Sequence, residues 1–89
     1  MKIQFSQDAW EDLQPWIETD DKLLRKILAL LKECQRAPFS GTGKPEPLRN
    51  ELKGWWSRRI TQEHRLVYRV TGSAETQTLE VAACRNHYT

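Results

Sequence analysis

Residues 55–88, WWSRRITQEHRLVYRVTGSAETQTLEVAACRNHY, decide the fold. The segments 55–61, 64–71 and 79–85 are short, rich in β-branched and aromatic residues, and separated by turn signals near Gln62 and at residues 72–78. They predict three strands of an antiparallel meander. Alternation then assigns faces, because successive side chains in a strand point to opposite sides. Trp55, Ser57, Arg59 and Thr61 share one side, and Trp56, Arg58 and Ile60 share the other. In the next strand Arg65, Val67 and Arg69 oppose His64, Leu66, Tyr68 and Val70. A hairpin centred on Gln62 places Arg59 opposite Arg65, and like charges facing one another across a ladder destabilise it. An anion held between the two guanidiniums removes that cost. Neutralisation by Glu63, Glu80 or a helix carboxylate, or a different register, is the structural alternative. The tandem Trp55 and Trp56 must point apart, one into the core and one outward, where it either packs or stacks on a base.

The last strand runs straight into Arg85, Asn86, His87 and Tyr88, placing an imidazole and a phenol where chains usually fray. Upstream, residues 38–47 read PFSGTGKPEP and hold three of the four prolines. This is a structured loop, and Pro45 and Pro47 restrict Glu46 from both sides, pushing it towards an extended conformation. Glu46 is therefore expected on a rigid mount.

Two helices precede the loop. Ser6 is an N-cap residue, Asp8 suits the first turn, and Ala9, Trp10, Leu13, Trp16 and Ile17 recur at helical spacing. Pro15 predicts a kink, or an end to this helix near Leu13, since an interior proline costs about 3 kcal/mol. Thr19, Asp20 and Asp21 are cap candidates for the second helix, whose apolar face is Leu23, Leu24, Ile27, Leu28, Leu30, Leu31 and Cys34. Lys22, Arg25, Lys26, Lys32 and Arg36 line its other side, a solvated face or a nucleic-acid surface. Residues 2–5 alternate as a short strand ahead of both helices. The fold class is thus α+β: a single domain over residues 1–89, order β-α-α-β-β-β, with two helices packed on a small, mostly antiparallel sheet.

Charge is modest in total and uneven in place. The net charge is +2, yet residues 1–40 carry seven acids and six bases while residues 41–89 carry five acids and eight bases. This excludes a polybasic tail and puts the positive half with the strands. Cys34 and Cys84 have neither CxxC nor zinc-ligand spacing and are expected as buried small hydrophobes in a reducing cytoplasm. No apolar run approaches the roughly 20 residues of a membrane span.

The positions on one sheet face suggest a chemistry. Arg59, Arg65, Arg85 and His87, with Tyr88 beside them and Glu46 on its stiff loop nearby, supply a carboxylate, an imidazole and guanidiniums. Metal-free RNA cleavage needs a base for the 2′-hydroxyl proton, an acid for the departing 5′-oxygen, and cations on the phosphate. Glu46 suits the first role and His87 the second; taken alone, His87 is as readily a surface histidine without duty. No GxSxG elbow supports a serine nucleophile, and the carboxylates of the basic half are too scattered for a two-metal site, so no metal or cofactor is expected.

Four strings, KPEPL at residues 44–48, WSRRIT at 56–61, EHRLVY at 63–68 and AACR at 82–85 followed by His87 and Tyr88, resemble the YoeB (Txe/YoeB) toxins of the RelE/ParE superfamily. The resemblance extends to the Trp-rich first helix and the ETD of residues 18–20. It implies a cytoplasmic toxin of a type II toxin–antitoxin pair, a ribosome-dependent endoribonuclease that cuts mRNA in the decoding site and inhibits translation. By matched motifs it implies Glu46 as general base, His87 as general acid, Arg65 as transition-state stabiliser and Tyr88 as a positioning or substrate contact. Arg59 is implied to bind phosphate, as is Arg49, which stands where a lysine is common. The implied partners are a YefM-like antitoxin that covers the site, the ribosome with its mRNA, and a second copy of the chain in a homodimer. A ParE-like gyrase inhibitor on the same fold is the alternative, and it has no need of the set Glu46, Arg65, His87 and Tyr88.

Overall fold

The computed structural model describes residues 1–85. Its elements are β1 (Lys2–Phe5), α1 (Gln7–Thr19), α2 (Asp21–Arg36), β2 (Glu46–Pro47), a single 3₁₀ turn (Asn50–Leu52), β3 (Trp56–Arg59), β4 (Arg65–Thr71) and β5 (Thr78–Ala83). The strands form one sheet in the order β1-β5-β4-β3-β2. β1 runs parallel to β5, and the other three pairings are antiparallel. The expected class and order hold, with β2 as an added two-residue strand. The three meander strands are each shorter than the apolar segments suggest: pairing stops where the turn at residues 60–64 begins and before Cys84.

Local chemistry sets the helix boundaries. The Ser6 hydroxyl accepts the Ala9 N–H at 3.1 Å and opens α1. Asp20 joins the helices: its N–H donates to the Trp16 carbonyl at 3.0 Å, and its Oδ1 accepts the Leu23 N–H at 2.9 Å. The same residue ends one helix and caps the next. Of the two outcomes expected at Pro15, a kink or an end near Leu13, the end does not occur: α1 continues through Pro15 to Thr19. The missing proline N–H weakens one turn, but Ala9 and Leu13 on one side of it and Trp16 on the other pack on the same core, which holds the turn in line.

The core lies between the helices and one sheet face. Ala9, Leu13, Leu23, Ile27, Leu30, Leu31 and Cys34 meet Ile60, Leu66, Tyr68, Leu79, Val81 and Cys84. Trp10, Ile17 and Leu28, expected on apolar faces, remain about half exposed. Trp56 packs against the core and against Phe39, with ring centroids 4.7 Å apart, while Trp55 points to the other face beneath the Arg69 guanidinium, 4.4 Å from its ring. The tandem therefore splits between faces as alternation requires. Both cysteines are free and buried.

Candidate functional site

Cross-strand pairing puts three of the expected site residues on one face, the one turned away from the helices. Arg59 of β3 lies directly opposite Arg65 of β4, the register anticipated from the hairpin. Glu46 lies opposite Ser57 across the β2–β3 pair. Partners in a ladder project to the same side, so Glu46, Ser57, Arg59 and Arg65 share that face. Glu46 is diagonal to Arg59, a relation that separates Cα atoms by roughly 7–8 Å. Glu46 and Arg59 are exposed and Arg65 is half-buried.

Arg65 is fixed by the turn that precedes it. Its Nη1 donates to the carbonyls of Thr61, Gln62 and His64 at 2.9, 3.0 and 3.1 Å. The Thr61 hydroxyl in turn accepts the N–H groups of Glu63 and His64. A guanidinium held at one nitrogen by backbone has a preset orientation, as a charge-stabilising group requires. One carboxylate that could neutralise the pair, Glu80, is engaged by other residues. Glu80 accepts from Arg69 at 3.0 Å and from the Thr71 hydroxyl at 2.7 Å, which hold its carboxyl below the ordinary carboxylate range. Glu63 lies 3.9 Å from His64.

Arg49 is exposed and caps the 3₁₀ turn just beyond β2. His87 and Tyr88 lie outside the described residues. The point from which their segment departs is anchored: Asp12 of α1 accepts the Cys84 N–H at 3.2 Å, and the Arg85 guanidinium sits 5.8 Å over the Trp16 ring. Burial pushes the Asp12 carboxyl up, with the Cys84 N–H acting against it. Trp16 also meets the His64 ring edge-on at 5.0 Å, so the C-terminal end of α1 joins the β3–β4 turn to the end of β5.

The sequence reading overlooked Arg58. Its parity put a charge among Trp56, Ile60, Leu66 and Tyr68, and that was the available signal. The side chain is fully buried and meets the loop leading to Glu46. Nε donates to the Tyr68 hydroxyl at 3.1 Å, Nη1 to the Thr42 carbonyl at 3.1 Å, and Nη2 to the carbonyls of Ser40 at 2.8 Å and of Ala37. Glu33 lies 3.3 Å from Nη1. Burial works against the charge, but the bond to Tyr68 and the fields of Cys34, Tyr68 and Glu33 outweigh it and raise the pKa further. Among the described residues no group of three His, Cys, Asp or Glu side chains could hold a metal ion, and no helix is long and apolar enough to cross a membrane.

With this geometry in place, the similarities to known proteins are consistent along the whole chain. Residues 5–88 match the family described as YoeB-like toxin of bacterial type II toxin–antitoxin systems. The chain is 52% identical over 88 residues to Toxin YoeB of Escherichia coli (strain K12), covering 99% of this chain and 100% of that one. Among solved structures it is similar to a YoeB/ParE toxin from Agrobacterium tumefaciens, with TM-score 0.94 and 50% identity over 99% of this chain and 100% of that one. It is also similar to YoeB from Staphylococcus aureus, at 42% identity over 99% and 98% of the two chains. That protein has been solved as a dimer, TM-score 0.87, and in a heterotetrameric YoeB–YefM complex, TM-score 0.86.

Proposed function

Since the chain belongs to the YoeB-like toxins of bacterial type II toxin–antitoxin systems, we propose that it is a metal-independent endoribonuclease that cuts mRNA in the decoding site of the ribosome and so stops translation. The observation that carries this reading is the shared sheet face of Glu46, Arg59 and Arg65, with the two arginines paired directly across the β3–β4 ladder. Such a pair is costly without an anion and suited to a phosphate.

In the proposed reaction the Glu46 carboxylate takes the proton of a 2′-hydroxyl, and the 2′-oxygen forms a bond to the adjacent phosphorus. The bond from phosphorus to the 5′-oxygen breaks, and His87 gives that oxygen its proton. The products are a 2′,3′-cyclic phosphate and a 5′-hydroxyl. Arg65 stabilises the charge that builds on the non-bridging oxygens, Arg59 and Arg49 hold phosphates, and Tyr88 positions the substrate. The ribosome supplies the mRNA strand to this site. A YefM-like antitoxin is the proposed inhibitory partner, as YefM is a partner of the staphylococcal YoeB, and a homodimer is the proposed state of the free toxin.

The test is a translation extract given a defined mRNA and the protein. Cutting at set codons only when ribosomes are present, lowered about 10²- to 10⁴-fold but still measurable in Glu46→Gln and in His87→Ala, is expected. Equal cutting of free RNA, or wild-type cutting by both variants, overturns the proposal.

A further inference from the structure

The loop at residues 37–45 carries the chain from α2 to Glu46, and it has no regular secondary structure of its own. The apolar contact of Phe39 with Trp56 covers one part of it. Its polar backbone is held mainly by one side chain and its neighbours. Arg58 collects the carbonyls of Ala37, Ser40 and Thr42. The Tyr68 hydroxyl accepts from Arg58 Nε and donates to the Pro38 carbonyl at 2.6 Å. Glu33 Oε1 accepts the Thr42 N–H at 2.7 Å beside Arg58 Nη1. At the far end of the loop, the Arg59 N–H donates to the Gly43 carbonyl at 2.7 Å, three residues before Glu46.

The fit is close enough to fix the backbone path. Gly41 has φ +114, and a Cβ there would lie 1.9 Å from Glu33 Oε1. At Gly43, with φ +87, a Cβ would lie 3.0 Å from the Arg59 carbonyl and 3.2 Å from the Arg58 Cβ. β2, which bears Glu46, is an edge strand of only two residues, too short to fix its own place. Its position depends on the pairing with β3, continued by the Leu48 N–H to the Trp55 carbonyl at 2.9 Å, and on the loop behind it.

We infer that Arg58 is a positioning residue for the general base: with Tyr68 and Glu33 it clamps the loop at residues 37–43 and thereby sets where the Glu46 carboxylate stands over the sheet face turned away from the helices. Arg58 and Arg59 thus divide one task between the two sides of a strand, the first fixing the base from within and the second facing the phosphate. A planar fork with five donors is needed, because the acceptors lie in several directions around one buried centre. Lysine has the charge but not the fork. The inference rests on the proposed ribonuclease reading, which assigns Glu46 its role.

The experiment is a double-mutant cycle on ribosome-dependent cutting, using Arg58→Lys and, as a milder change that keeps the buried ring, Tyr68→Phe. Each is made alone and with Glu46→Gln, and the single-turnover rate is measured against ribosome concentration. Arg58→Lys is expected to lower the saturating rate about 10- to 100-fold, the scale on which a misplaced catalytic group acts, with the half-saturating ribosome concentration unchanged. In the Glu46→Gln background it is expected to lower the residual rate less than about twofold, since the group it positions is gone. Amide exchange of both single variants should be accelerated more at residues 42–48 than across β4 and β5. A loss of equal size in both backgrounds shows a general structural role and overturns the inference. So does a wild-type rate in both Arg58→Lys and Tyr68→Phe. Wild-type cutting by Glu46→Gln itself refutes the assigned base, a separate failure that takes the inference with it.

Discussion

Replacing Tyr68 by phenylalanine isolates one oxygen atom. The ring is fully buried and stays in place, so packing is conserved. The hydroxyl is lost, and with it the acceptor of Arg58 Nε at 3.1 Å and the donor to the Pro38 carbonyl at 2.6 Å. An unsatisfied buried polar group costs about 1–3 kcal/mol, more when it is charged. The half-buried Pro38 carbonyl belongs at the low end and the buried guanidinium N–H higher, which together make about 3 kcal/mol. At about 4–8 °C per kcal/mol for a domain near this size, the midpoint of thermal unfolding falls by about 12–24 °C. Thr19→Val is the control. Its hydroxyl makes an equally short bond, 2.6 Å to the Pro15 carbonyl, but at an exposed site where water replaces it, so a change within about 0.5 kcal/mol is expected. Urea and thermal unfolding, followed by circular dichroism, measure both. A Tyr68→Phe loss below about 0.5 kcal/mol, or one matched by Thr19→Val, refutes the claim that burial makes the Arg58 network costly to break.

Acid should weaken the fold in a defined window. Glu33 is held below its ordinary value of 4.5 by the Thr42 N–H and then by Arg58, and Glu80 by the Thr71 hydroxyl and then by Arg69, so both contribute stability above about pH 4.5 that is lost as pH falls through their lower folded values. Asp12, raised by burial, has the opposite sign; Glu33→Gln should flatten the acid limb of a stability-against-pH curve, and an unchanged limb counts against the Glu33–Thr42 bond. The thiols should be inert in the folded protein, because burial raises that of Cys34 and pushes that of Cys84 up to about 12. Labelling by a thiol-specific disulfide reagent at pH 8 should proceed no faster than unfolding, and prompt reaction of either cysteine refutes their burial.

What the sequence determined by itself was local. Strand alternation has a period of two residues, so the faces of β3 and β4 could be read directly, including the split of Trp55 from Trp56. A hairpin centred on Gln62 would place Arg59 opposite Arg65, and that is the register the fold adopts. Ser6 announced the start of α1, and Asp20 was one of three cap candidates, with Thr19 and Asp21, for α2; each accepts the N–H three residues on. Motif resemblance, a whole-chain property, led to the toxin family. His87 and Tyr88 rest on that resemblance alone, since they lie outside the described residues.

The tertiary structure decided what depends on partners distant in sequence. Local propensity argued for a kink in α1 or an end near Leu13, and burial on both sides of Pro15 carried the helix past that end. β2 has no pattern of its own, because a two-residue strand exists only through its pairing with Ser57 and Trp56. Parity put Arg58 on the apolar face, yet that alone reads as an unfavourable charge. Its acceptors lie 10 to 21 residues away, on another strand and in the loop before β2. Only folding brings them to one centre, and that convergence makes a buried cation stable and gives Glu46 its mount.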